Sequence, residues 1–133
     1  MTDPERDRLS DSGGPEMLSV VSRNNILHTR SKTGKSIRDA STQLAHDYDY
    51  DLISGMVISA GKQEQHGVIG VPVYAASRPA GDFSLDPASP GFDAGVRIPN
   101  FNDDVRGQAP DMGAFEAGSA PMEFGVNAYR RAR

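Results

Sequence analysis

The chain has 133 residues, no cysteine and no tryptophan, and its 14 basic against 18 acidic residues leave a net charge of −4. Without cysteine there are no disulfide staples, no thiolate metal sites and no cysteine nucleophile. Mild acidity argues against a nucleic-acid binder, which carries a basic stripe, and no apolar run approaches the roughly 20 residues of a membrane-spanning helix. The length fits a single domain.

Residues 1–16 contain five acids, two arginines and the turn-forming Gly13-Gly14-Pro15. This is the composition of a flexible acidic lead segment, although Thr2 and Glu5 have the spacing of a capping box. The segment lacks the apolar stretch of a secretory leader, so none is expected in this sequence.

Residues 17–66 carry short β-prone runs: Leu18-Ser19-Val20-Val21, Asn25-Ile26-Leu27, Ser36-Ile37-Arg38 and Met56-Val57-Ile58. Turn formers such as Asn24, Gly34, Gly55 and Gly61 bound them. No stretch keeps the i, i+3, i+4, i+7 spacing of a long helix. Arg23-Asn24-Asn25-Ile26-Leu27 echoes Asp49-Tyr50-Asp51-Leu52-Ile53 at an interval of 26 residues. That is the size of one turn of a β-solenoid. Stacked turns would set Ile26 on Leu52, Leu27 near Ile53 and Asn25 over Asp51, about 4.8 Å apart.

Residues 67–133 hold seven of the nine prolines and nine of the 14 glycines. Prolines at 72, 79, 87, 90, 99, 110 and 121 forbid a long helix and disfavour central ladder strands. Short pieces, Val71–Tyr74 and Asp82–Leu85, remain free to extend. Phe83, Leu85, Phe92, Met112 and Phe115 are the apolar mass available to cover a last coil. Residues 119–133 read as a tail.

Candidate chemistry is sparse. Thr33-Gly34-Lys35-Ser36 resembles the end of a phosphate loop but lacks the first glycine, because position 29 is Thr. Asp47, Asp49 and Asp51 are the candidate Ca²⁺ ligands: on an extended segment their carboxylates share one face, but the glycine and glutamate of an EF-hand loop are missing. His28, His46 and His66 are isolated and expected at the surface or in turns. His28, Arg30, Lys35 and Arg38 form the candidate site for an acidic polysaccharide. The reading of the residues requires no cofactor.

The 81–95 segment, Gly-Asp-Phe-Ser-Leu-Asp-Pro-Ala-Ser-Pro-Gly-Phe-Asp-Ala-Gly, and the 104–116 segment, Asp-Val-Arg-Gly-Gln-Ala-Pro-Asp-Met-Gly-Ala-Phe-Glu, resemble the paired elements that end many right-handed parallel β-helix (pectate-lyase-like) proteins. Asn24-Asn25-Ile26-Leu27 and Asp49-Tyr50-Asp51-Leu52 are similar to segments of the preceding coils. Gly91-Phe92 stands where the pattern has Ala-Ile, Asp51 where it has Asn, and Val71 where it has Asp. The resemblance implies an all-β fold: about two right-handed parallel coils and an irregular C-terminal cap over residues 17–118. It places Asn25, Asp51, Asp93, Gly95, Asp111, Gly113 and Glu116 in turn or cap positions. It implies the capping portion of a carbohydrate-active protein of lyase or hydrolase type, usually secreted or periplasmic, with its catalytic residues on middle coils that this chain lacks. A lyase needs a cation against the uronate carboxylate and a base; a hydrolase needs two carboxylates about 5–9.5 Å apart. Neither set stands out here. A stand-alone module for acidic polysaccharides or cell-surface partners is the alternative, and the open N-terminal coil edge invites self-stacking.

Overall fold

The computed structural model describes residues 19–31, 33–40, 46–59, 61, 63–77, 81–120, 123 and 125–126. The lead segment 1–16 lies outside them, as does most of the 119–133 tail. The described residues form an all-β structure with no helix. None is long and apolar enough to cross a membrane.

Seven short strands follow in order: β1 (Val21–Ser22), β2 (Ile26–Leu27), β3 (Lys35–Arg38), β4 (Asp47–Tyr48), β5 (Leu52–Ile53), β6 (Met56–Ile58) and β7 (Val68–Ile69). They pair in three small sheets, β1-β4, β2-β5-β7 and β3-β6, and every pairing is parallel. Ile26 lies opposite Leu52 and Leu27 opposite Ile53, the partners that the 26-residue interval gives. The next interval is shorter: Leu52 faces Val68 and Ile53 faces Ile69. A bulge between Lys35 and Ile37 absorbs an extra residue in β3.

The strands are short because the backbone turns sharply before β2 and β5. Asn24 and Tyr50 occupy equivalent places there, with φ of 57° and 60°. Asn tolerates this left-handed geometry; a tyrosine has to be held in it. Tyr50 stacks on His66 at 4.7 Å between ring centroids, and its amide donates to Asp49 Oδ1. The turn ends the extended run that the Asp47–Asp51 alternation suggests. Asp51 therefore points inward and is fully buried, while Asp47 is exposed.

The core is small: Ile37, Leu52, Ile53, Leu85 and Met112. Two of the five, Leu85 and Met112, come from the proline-dense segment, so that segment supplies part of the core. Tyr74 bridges Leu85 in antiparallel fashion. Met112 N donates to Gly91 O. A Cβ on Gly91 would stand 2.9 Å from Leu52 Cδ2 and 3.3 Å from Met112 Cβ, so the backbone approaches Leu52 more closely than any side chain would allow. This bears on the Gly91-Phe92 departure: the larger residue at 92 is half-buried, and the contact to Leu52 is made by bare backbone.

The segment also reaches beyond β5. Pro90 packs beside Gly70, just after β7, while Gly113 packs on Ile26 of β2. It thus approaches β2, β5 and the end of β7, the three strands of the largest sheet. Phe83 is not part of the buried mass; it is exposed and meets Tyr74 edge-on at 5.8 Å.

Candidate functional site

A groove of about 740 Å³ lies between the turn that joins β1 to β2 and the C-terminal segment. One wall is Arg23, Asn24 and Asn25, the turn between β1 and β2. The opposite wall combines Asp82 and Ser84, the 101–104 loop, and residues Pro110–Glu116.

Asn24 joins the two walls. Its left-handed backbone directs a buried side chain onto Val96, 72 residues away. Nδ2 donates to Val96 O at 2.7 Å and Oδ1 accepts Val96 N at 2.8 Å, so the amide imitates a neighbouring strand. Asn24 O accepts from Gly113 N at 2.6 Å. Gly95 must lack a side chain, since a Cβ there would lie 2.8 Å from both Asn24 Oδ1 and Pro110 O. Asn102 holds the loop to the same anchor: Nδ2 donates to Val96 O and Oδ1 accepts Ile98 N.

The floor is a set of carboxylates committed to backbone amides. Asp111, buried, accepts Asp93 N at 2.9 Å and Ala117 N at 2.8 Å. Glu116 accepts Arg106 N and Asp111 N. Asp93, behind the floor and outside the groove lining, has φ of 51° and accepts Gln108 N. Burial raises the Asp111 pKa; the amide donors oppose this, and the charges of Glu116 and Asp93 add to it. Above the floor stand Asp82, which holds Ser84, and Asp103, which accepts Asn100 N. Asp104 and the largely exposed Phe101 complete the rim. Five carboxylates line the groove against one cation, Arg23, which is itself paired with Asp47.

The structure brings Asn25 and Asp51 together. Asp51 Oδ1 accepts Asn25 N at 2.7 Å and Asn25 Nδ2 at 3.2 Å, and Oδ2 accepts Ser22 Oγ at 2.5 Å. The candidate Ca²⁺ set is divided instead. Asp47 serves Arg23, Asp49 serves the ring and backbone of His66, and Asp51 faces inward. Among the described residues no group of three or more His, Cys, Asp or Glu is arranged around a metal position. The basic candidates lie outside the groove lining. His28 bonds Ser54 Oγ at 3.0 Å, and Arg30, Lys35 and Arg38 are exposed.

Three further arrangements are made only by the folded chain. His46 is buried, contrary to its expected surface place, and meets Asp39 at 2.6 Å. Burial raises the Tyr48 pKa, and Asp39 raises it further. The His46–Asp39 pair has the form of a general base, but both side chains are shut away from any polymeric substrate. Gln63 lies beside β4: Oε1 accepts Tyr48 N and Nε2 donates to His46 O. Glu64 Oε2 accepts Asp51 N at 3.1 Å, while its buried Oε1 has no partner. Burial, with Asp51 and Asp49 nearby, pushes the Glu64 pKa up to about 7, against the lowering effect of the Asp51 amide.

Comparison with protein-family models, curated proteins and solved structures gave no match to the chain.

Proposed function

We propose that the chain is the closing portion of a right-handed parallel β-helix protein of carbohydrate-active type, and that its own role is structural and non-catalytic. The observation that carries this reading is the clamp of Asn24 on Val96, next to the parallel pairing of β2 with β5. It ties the resembling terminal segment to a first-level turn and leaves a groove between them.

The groove's chemistry fits a wall rather than a reaction centre. Asp93, Asp111 and Glu116 accept main-chain amides, so they work as turn-holding groups rather than as an acid and base. Arg23 is held by Asp47, which leaves no free cation among the described lining residues to neutralise a uronate. An aromatic rim with carboxylate acceptors suits the hydroxyls and apolar faces of a neutral saccharide better than a polyanion, which the same carboxylates repel. This weighs against the module for acidic polysaccharides.

The test is glycan-array binding together with reducing-end and unsaturated-uronate assays on the chain. Binding confined to neutral glycans, lost in Phe101→Ala, without turnover, is the expected result. Turnover of any polysaccharide, or selective capture of polyuronates, overturns the reading.

A further inference from the structure

The three sheets end differently on the side of the third strand level. Over β5 stands β7. Over β4 stands the Gln63 side-chain amide, which satisfies Tyr48 N and His46 O. Over β6 there is an open slot of about 450 Å³, lined by Ile53, Met56, Val57, Ile58, Ile69 and Glu64 among others.

Backbone bonds show which polar groups face that slot. Met56 N donates to Gly34 O and Ile58 O accepts from Asp39 N, so residues 56 and 58 direct their main chain toward β3. By the alternation of a ladder, Val57 N–H and C=O point the other way, into the slot. No described residue fills it. Continuing from β7 in register would bring Pro72 beside Met56 and Val73 beside Val57, but proline has no N–H. Val73 is also engaged elsewhere: its N–H meets Ser89 Oγ and its carbonyl accepts Asp86 N. β6 thus presents an unpaired edge with no charge, proline or bulge of its own to blunt it. Met56 and Ile58 are exposed beside it, and Ile69 is 82 % exposed.

We propose that this edge is where a second copy of the chain docks, the two β6 strands pairing antiparallel about a twofold axis at Val57 to give the sheet β3-β6-β6-β3. The edge is self-complementary. Val57 exchanges both its backbone bonds with the partner's Val57, and Met56 falls opposite the partner's Ile58. Such an isologous contact closes on itself. A head-to-tail copy fits worse, because β7 stands one level above β6 and occupies the place its β2 would need. A three-residue edge with one apolar rim buries less than a standard interface, so the equilibrium is expected in the range of about 10–500 µM.

Sedimentation equilibrium between about 10 µM and 1 mM tests this, with circular dichroism to check that each variant is folded. The mass is expected to rise toward twice the monomer value, and Ile69→Lys to weaken association at least tenfold. The chain has no cysteine, so register can be read directly. An oxidised mixture of M56C and I58C should give the disulfide-linked dimer, while either variant alone gives little. A monomer over the whole range, association indifferent to Ile69→Lys, or M56C alone cross-linking as fast as the mixture would each overturn the proposal. None of these outcomes depends on the glycan reading.

Discussion

Replacing Asn24 by alanine probes the contact on which the architecture turns. Two hydrogen bonds to Val96 disappear, and their partners fare differently. Val96 O keeps Asn102 Nδ2 at 3.0 Å, so its loss is that of one ordinary bond, about 1 kcal/mol. Val96 N–H has Asn24 Oδ1 as its acceptor; in a half-buried setting the stranded donor costs about 1–3 kcal/mol. Position 24 has φ of 57°, where alanine lacks the side-chain bond that eases asparagine into this region, adding about 1 kcal/mol. The expected destabilisation is about 3–5 kcal/mol, a large share of the roughly 5–15 kcal/mol of a domain this size. Urea unfolding at pH 7 gives the total, and amide exchange at Val96 gives the local effect, an increase of about a hundredfold or more. A change below about 1 kcal/mol, or unaltered Val96 exchange in a folded variant, would refute the assignment of Asn24 as the clamp.

Further outcomes are expected. Met112→Ala empties a fully buried site against Gly91 and Leu52 and should cost about 2–5 kcal/mol in urea unfolding. Gly91→Ala should cost about 1–3 kcal/mol by overpacking the same place. Glu64 holds its proton to about pH 7 in the folded chain and releases it near 4.5 when unfolded, so stability falls as pH rises through this window. Glu64→Gln should flatten that dependence and gain about 1–2 kcal/mol at pH 8, after allowing for partial solvent access; urea midpoints at pH 5, 6, 7 and 8 check it. Asp49 behaves oppositely. Burial works to raise its pKa, but the bonds from His66 and Tyr50 prevail and lower it. Its contribution is present above the unfolded carboxylate range and lost as pH falls through the folded value. His66→Ala should remove that part of the acid transition.

The sequence by itself determined the local grammar of this protein. Proline spacing forbade a long helix after residue 67, and the left-handed tolerance of Asn24 marked a turn. The 26-residue interval placed Ile26 opposite Leu52, because parallel pairing repeats whatever periodicity the chain carries. What it could not show were meetings between residues whose separation follows no period. The spacing from β5 to β7 shortens to 16 residues, so an interval measured once does not find Val68. Asn24 and Val96, His46 and Asp39, and the orphaned Glu64 oxygen are products of how the irregular segments fold back. Asp47, Asp49 and Asp51 looked equivalent along the chain. One backbone reversal at Tyr50 gave them three separate partners, and that reversal is held by a ring stack onto His66, a contact only the assembled chain makes.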